Sequence, residues 1–407
     1  MRGFYQISII FYRTLIQIVA PFNPKAKLWV EGRKQWKEKL KAIFSKQSKV
    51  IWFHAASLGE FEQARPLIEK IKKEQPGYFV LLTFFSPSGY EVRKNYQYAD
   101  HVCYLPADTK QNAKIFLDIV KPEKVFFVKY EFWFNFLSEI KHRSIPNYLV
   151  SGIFRPSQIF FKWYGSWFEN QLKAFDWFFV QNETSKKLLN SIGYTQVTVT
   201  GDTRLDSVSN VAKMPFTDAH IEQFISNRPC MVVGSSWPQD EQVLKPLFNK
   251  FNAWCYIIAP HEVNENRLKQ IEKHFENKTV RYSKNTDSTL DKSVLIIDSI
   301  GSLSKIYRYA KCAYVGGAFK TGLHNVLEPA VYGMPVIFGP QFEKFQEAKD
   351  LIHLGAAKSI NSSEALISIF QALESDQKIY NQMSQATKRY VEENLGAVQS
   401  IYEAVFN

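Results

Sequence analysis

A glutamate three residues after a serine, at the end of an apolar run, is the strongest chemical signal in the chain. Val50-Ile51-Trp52-Phe53 leads into His54-Ala55-Ala56-Ser57-Leu58-Gly59-Glu60, and Phe61-Glu62-Gln63-Ala64-Arg65-Pro66-Leu67 follows. This spacing predicts a buried strand, a small-residue turn and a carboxylate on the first turn of a helix. Open α/β sheets bind ligands there, outside the carboxyl ends of their strands. A carboxylate so placed can serve as general base to a substrate hydroxyl within hydrogen-bond reach. Ser57 and Glu60 also read as a capping box, with the serine at the N-cap and the glutamate three residues on. A carboxylate turned back onto its own helix is less free to take a proton, so the two readings compete in part and both stand.

Further loops carry polar groups at predicted strand ends. Gly316-Gly317-Ala318-Phe319-Lys320-Thr321-Gly322-Leu323-His324-Asn325-Val326-Leu327-Glu328-Pro329-Ala330 follows an apolar run and opens a helix. Its glycines permit close backbone approach, and free N–H groups at a helix start favour an anion. Glu328 is suited to accept from ribose hydroxyls. As glycines alone the loop reads equally as a tight turn; it is neither G-x-G-x-x-G nor a Walker A loop. Gly234-Ser235-Ser236-Trp237, Pro260-His261 and Asp298-Ser299-Ile300-Gly301-Ser302-Leu303 occupy the same kind of position. Singly each serves as a helix cap; four together point to a nucleotide pocket. In the first half, Lys129-Tyr130-Glu131-Phe132-Trp133, Ser151-Gly152-Ile153-Phe154-Arg155 and Val199-Thr200-Gly201-Asp202-Thr203-Arg204 end successive runs. Glu131 reads as a site acid or a surface carboxylate, and Arg204 as a phosphate partner or a surface cation. His54 and His324 lack the second and third ligands of a metal site and read as orienting or structural imidazoles. Without a D-x-D dyad no metal is expected, and backbone dipoles with basic side chains would stabilise a leaving nucleotide.

The elements that must position these loops follow from apolar periodicity. Short apolar runs at 50–54, 79–85, 101–105, 124–129, 147–151, 177–181 and 197–200 alternate with helical patterns at 61–74, 110–119 and 184–192. That alternation predicts βαβ units and a parallel sheet. It breaks at 206–216, which shows no clear period and carries Pro215. A second series begins after it, at 231–234, 254–259, 294–298, 313–316 and 335–339. The expected architecture is α/β, with an N-terminal segment 1–22, a Rossmann-like half 23–209 and a second Rossmann-like half 210–407, ligand lying between the halves.

Length and composition agree with this. A chain of 407 residues with 45% hydrophobic content has material for two cores. Cys103, Cys230, Cys255 and Cys312 are far apart and form no C-x-x-C pair, which predicts buried reduced thiols and argues against a zinc site or disulfide framework. Of the formal charge of +12, residues 1–49 contribute +9, from eleven Lys/Arg against Glu31 and Glu38. Within this basic arm, Phe4 to Ala20 is apolar but interrupted. At about 100° per residue, Gln6, Arg13, Thr14 and Gln17 fall within one arc of roughly 100°, with Ser8 on the apolar side. An amphipathic helix lying in a membrane interface fits better than a spanning helix, which needs about 20 mostly apolar residues; packing on the protein's own core is the other reading. No small-residue cleavage site marks a signal peptide. No nucleic-acid motif accompanies the basic charge, so anionic lipid is the expected partner.

These motifs, in this order, resemble the Kdo transferases of Gram-negative lipopolysaccharide assembly. The resemblance runs from the N-terminal hydrophobic segment to about residue 350. It rests on Trp29-Val30-Glu31-Gly32-Arg33-Lys34, His54 to Glu60, Thr83 to Gly89, Gln181-Asn182-Glu183, Val197 to Arg204, Gly301-Ser302-Leu303 and Gly316 to Ala330. It implies a GT-B glycosyltransferase that moves Kdo from CMP-Kdo to a lipid A precursor, with inversion and without metal, at the cytoplasmic face of the inner membrane. On that likeness Glu60 is the general base, and Arg204 falls where the family has a transition-state lysine. Pro260, His261, Gly301, Ser302, Leu303, Asn325, Val326, Leu327 and Glu328 fall on CMP-binding positions, beside Ser235, Ser236 and Gly317 from the strand-end loops. Three positions depart from the family: Lys129 stands for an acid, leaving only Glu131 of a pair, His261 for an arginine and Ser302 for an acid. Nucleotide contacts there must differ or come from neighbours such as Arg267. A UDP-sugar transferase and a non-catalytic membrane-surface binding protein of the same fold are the alternatives.

Overall fold

The computed structural model describes residues 2–45, 49–284, 291–320 and 322–407. Lys46 of the basic arm and Thr321 of the glycine-rich loop lie outside the described residues. The chain forms two compact units, Met1–Asp206 with Gly396–Asn407, and Ser207–Leu395.

The first unit is built on a seven-stranded parallel sheet: β1 (Val50–Ala55), β2 (Phe79–Phe84), β3 (His101–Tyr104), β4 (Lys124–Val128), β5 (Asn147–Gly152), β6 (Trp177–Val180) and β7 (Val197–Val199), in the order β3-β2-β1-β4-β5-β6-β7. Parallel strands with helices on both faces are buried on both sides and read as continuous apolar runs. β1 shows why the runs were so apolar. Val50 and Trp52 enter one core, with Leu81, Phe116 and Phe127. Ile51, Phe53 and Ala55 enter the other, with Phe61, Ile68 and Leu82.

The second unit repeats the plan with β8 (Cys230–Ser236), β9 (Cys255–Pro260), β10 (Thr279–Arg281), β11 (Val294–Ile296), β12 (Cys312–Val315), β13 (Val336–Phe338) and β14 (Ala357–Ser359), in the order β10-β11-β9-β8-β12-β13-β14. β10 and β14 are three-residue edge strands, too short for their periodicity to be read.

Two boundaries differ from the sequence reading. The stretch 206–216 is not a break throughout, because a helix Thr203–Lys213 runs through its first part and across the change of unit. The C-terminal helix Ala397–Phe406 belongs to the first unit. Its Val398, Ile401 and Val405 share a core with Ile68 and Ile71 of that unit. Asp206 holds its start, accepting from Gly396 N at 2.7 Å and Val398 N at 2.8 Å.

Four helices precede or follow β1: α1 (Arg2–Val19), α2 (Pro24–Glu31), α3 (Trp36–Phe44) and α4 (Leu58–Glu74). α1 lies on the first unit by one narrow face. Tyr5 donates to Asp108 Oδ2 at 2.5 Å and Gln6 to Asn135 Oδ1 at 2.6 Å, while Tyr12 stacks on Phe85. The other half of its apolar arc is uncovered, with Phe4 78% and Phe11 67% exposed beside Ile7 and Ile18. Among the described residues no single helix is long and apolar enough to cross a membrane.

Candidate active site

The order of the first sheet reverses between β1 and β4, which leaves a crevice beyond their carboxyl ends. The loops into that crevice are the β1–α4 turn and the segment after β4, so topology brings Glu60 and Glu131 together. Ser57 and Glu60 form the reciprocal capping box. Ala56 N donates to Glu60 Oε2 at 2.6 Å and Ser57 N to the same oxygen at 3.2 Å. Both cap bonds go to Oε2, which leaves Oε1 out of the cap. The two readings of this glutamate are therefore compatible in one side chain.

A buried network holds Glu131. Trp133 Nε1 donates to Glu131 Oε2 at 2.6 Å, and His54 Nε2 lies 3.2 Å from that oxygen. His54 Nδ1 is 2.9 Å from Thr83 Oγ1, which also accepts from Trp52 Nε1 at 2.8 Å. Trp133 Nε1 also lies 3.0 Å from His54 Nε2, and the Thr83 hydroxyl donates to Phe53 O at 3.3 Å, so both ring nitrogens of His54 are engaged. His54 is fully buried and, through its contact with Oε2, orients Glu131. Among the described residues no group of three or more His, Cys, Asp or Glu side chains is placed to hold a metal ion.

The electrostatics single out Glu60. Burial, then repulsion from Glu131, pushes its carboxyl up to about 8, against the two backbone donors and the charge of Lys129. Lys129 caps β4 with φ 60°, a left-handed backbone costly for a lysine. Its charge acts on Asp202 as well as on Glu60. Arg204 grips Asp202 in a fork, Nε to Oδ1 and Oδ2 at 3.1 Å and Nη2 to Oδ2 at 2.5 Å. Burial would raise the Asp202 carboxyl, but the Arg204 charge and hydrogen bonds hold it below its ordinary value. Sequence reasoning singled out Glu60, Glu131 and Arg204. It read Lys129 only as a lost acid and gave Asp202 no part.

The second sheet reverses between β8 and β12, and its loops gather the other predicted residues. Ser235 ends β8 with φ 53°. Gly316 has no room for a side chain, since a Cβ would meet Ser235 O at 2.4 Å, and Gly317 needs its φ of 95°. Asp240 ties the two loops, accepting from Trp237 N and Gly317 N, each at 2.9 Å. Over them lies a stack of rings: Trp237 on His261 at 4.7 Å and His261 on His324 at 4.4 Å. Trp237 Nε1 donates to His324 Nε2 at 3.1 Å. Burial and then His261 push His324 down to about 4, so it is a neutral acceptor at neutral pH.

The remaining positions divide by accessibility. Ser236 is buried and donates to Glu241, which also pairs with Arg267, so Arg267 is committed to structure. Pro260 closes β9 inside the core, and Val326 and Leu327 are fully buried, offering a ligand their backbone only. Gly301 takes φ 99°, next to Ser302, whose buried hydroxyl has no partner among the described residues, and half-buried Leu303. Asn325 Nδ2 donates to Glu328 Oε1 at 3.1 Å.

Comparison with known proteins agrees with this architecture. Residues 34–207 match the family model described as 3-deoxy-D-manno-octulosonic-acid transferase (kdotransferase). The 3-deoxy-D-manno-octulosonic acid transferase of Rickettsia felis is 30% identical over 334 residues, 78% of this chain and 70% of that protein. That of Haemophilus influenzae is 27% identical over 373 residues, 87% and 86% of the two chains. The UDP-GlcNAc 2-epimerase of Neisseria meningitidis superposes with a TM-score of 0.63 at 18% identity, covering 88% of this chain and 99% of the other, a likeness of fold. The chain belongs to the 3-deoxy-D-manno-octulosonic acid (Kdo) transferase family and is a glycosyltransferase with two Rossmann-like units of the GT-B type.

Proposed function

We propose that the chain transfers Kdo from CMP-Kdo to a sugar hydroxyl of a lipid A precursor, with inversion. The observation that carries this is the half-buried Glu60, its carboxyl raised to about 8 beside Glu131. A base tuned to the working pH takes a proton most effectively as the acceptor oxygen attacks. Glu60 removes the hydroxyl proton, the oxygen bonds to the anomeric carbon of Kdo, and the bond to CMP breaks with its electron pair leaving on phosphate. Lys129, and Arg204 held by Asp202, supply positive charge on the same unit. The Trp237–His261–His324 stack and the Gly316-Gly317 turn suit a nucleoside and its phosphate. No divalent metal is assigned, and transfer continues in EDTA.

The test is direct. Protein, CMP-Kdo generated in situ and tetraacyl lipid A precursor yield a lipid whose mass has grown by Kdo. CMP inhibits and UDP does not. Inhibition by UDP alone would make the donor a UDP-sugar, and binding without product would make the chain a non-catalytic relative.

The acceptor is a lipid, and the uncovered face of α1 supports work at the cytoplasmic face of the inner membrane. Apolar side chains entering the interface beside basic residues favour anionic bilayers. Phe11 and Ile18 are 67% and 63% exposed, so replacing both with Asn leaves the melting temperature unchanged. Burying each contributes about 1.5–3 kcal/mol, so the double variant binds anionic vesicles about 10²–10⁴-fold more weakly in co-sedimentation. Undiminished binding would remove α1 from the membrane contact.

A further inference from the structure

A cavity of about 400 Å³ opens in the first unit between α1, the α2–α3 turn and the segment after β3. Four cations line it, Arg13, Arg33, Lys34 and Lys37, and among the described residues no acidic side chain does. Arg33 forms its floor. Its guanidinium lies 3.9 Å from the Trp29 ring centre and 4.8 Å from that of Tyr104. Among the described residues it donates to carbonyls alone: Nε to Leu105 O at 2.8 Å, Nη1 to Trp29 O at 3.1 Å and Nη2 to Phe85 O at 2.9 Å. Carbonyls and rings satisfy its geometry but do not neutralise its charge, and burial pushes it down to about 9. A cation held this way costs desolvation free energy that an anion would offset.

Trp29 supplies a second, independent observation. It lines the cavity and is 6% exposed, yet its indole N–H has no partner among the described residues. A buried donor left unpaired costs about 1–3 kcal/mol, which a ligand acceptor would recover. Nothing in the proposed donor chemistry uses Trp29, Arg33 or this cavity.

We infer that this cavity is a binding site for a phosphate monoester. A doubly charged oxyanion matches a floor and rim of cations together with an N–H donor. The volume exceeds that of phosphate alone and admits the first part of a carrier, with Trp29 and Trp36 as apolar walls. The site lies close to the carboxylates as well. Phe85, whose carbonyl Arg33 binds, packs against Trp133 with ring centres 4.6 Å apart, and Trp133 donates to Glu131. The phosphate is either free or the headgroup of a membrane lipid, since α1, with its uncovered apolar face, forms one wall.

The experiment has two arms, both run on the whole chain with excess CMP so that a nucleotide site in the second unit contributes nothing. In the first, equilibrium dialysis measures binding of radiolabelled inorganic phosphate. In the second, co-sedimentation compares vesicles containing phosphatidic acid with vesicles matched in charge by phosphatidylglycerol, a phosphodiester. The apolar face of α1 contributes equally to both vesicles, so their difference isolates the cavity. Lys34 is exposed and Lys37 is on the rim, so Lys34→Met with Lys37→Met leaves the fold intact, checked by an unchanged melting temperature. The site predicts saturable binding of free phosphate, or preference for phosphatidic acid, that this double variant weakens about tenfold or more. Which arm responds identifies the source. Binding in neither arm, or binding the double variant leaves unchanged in both, overturns the inference.

Discussion

Glu60→Gln abolishes Kdo transfer, by roughly 10²–10⁴-fold in kcat, while the protein remains folded. The amide is isosteric with the carboxylate and keeps one oxygen to accept from Ala56 N and Ser57 N, so the start of α4 stays capped. What is lost is the capacity to take a proton. Stability separates this from unfolding, and its sign is opposite. A carboxyl raised to about 8 from 4.5 favours the folded state fully below its unfolded value, and that contribution is lost as pH rises through the folded value. Above pH 8 wild-type Glu60 is an ionised, half-buried group beside Glu131, whereas the amide carries no charge. The variant therefore melts at a higher temperature than wild type above pH 8. Thermal denaturation and the product-mass assay on the same samples check it. Loss of activity with lowered stability would point to a structural role, and retained activity would move the base elsewhere.

Much of this was legible because parallel sheets write themselves plainly. Strands buried on both faces give runs such as Val50-Ile51-Trp52-Phe53, and the turns after β1, β8 and β12 announced themselves by small residues and glycines. The capping box was read from four residues because its bonds are local. The partners of the carboxylates were not. His54, Thr83, Glu131 and Trp133 are brought together by strand order, and no spacing in the chain encodes that contact. Lys129 is the clearest case. As a residue type it reads as the loss of a family acid; in place, its charge acts on both Glu60 and Asp202. Arg204 was legible as a phosphate partner or surface cation but its fork with Asp202 was not, and Arg267, a nucleotide contact by sequence, is spent on Glu241. The α1 periodicity was read as one polar and one apolar arc, but which half of the apolar arc the protein covers depends on Asp108 and Asn135, over a hundred residues away.

The pH dependence of transfer tests how Glu60 is tuned, and three charges fix its expected shape. With the base at about 8, kcat/KM rises about tenfold per pH unit below that point and levels above it, so the rate at pH 6 is about 10²-fold below the plateau. An ordinary glutamate would place the rise near pH 4.3, with no slope in this range. The causes predict how the inflection moves. Glu131→Gln removes the like charge that raises Glu60, while the amide oxygen can still accept from Trp133, so the inflection moves to lower pH. Lys129→Met removes a charge that lowers it, so the inflection moves to higher pH. Opposite displacements by these neighbours place the titrating group between the two charges, and loss of the inflection from the residual rate of Glu60→Gln assigns it to Glu60, since a His residue would answer the two charges in the same direction but keep its inflection in that variant. A flat profile between pH 6 and 8, or an inflection neither substitution moves, contradicts a base tuned by this site. Desolvation stands first among the causes, so neither substitution alone returns Glu60 to an ordinary carboxyl: the partial burial of the carboxylate, opposed by its own cap bonds, does most to set its working pH.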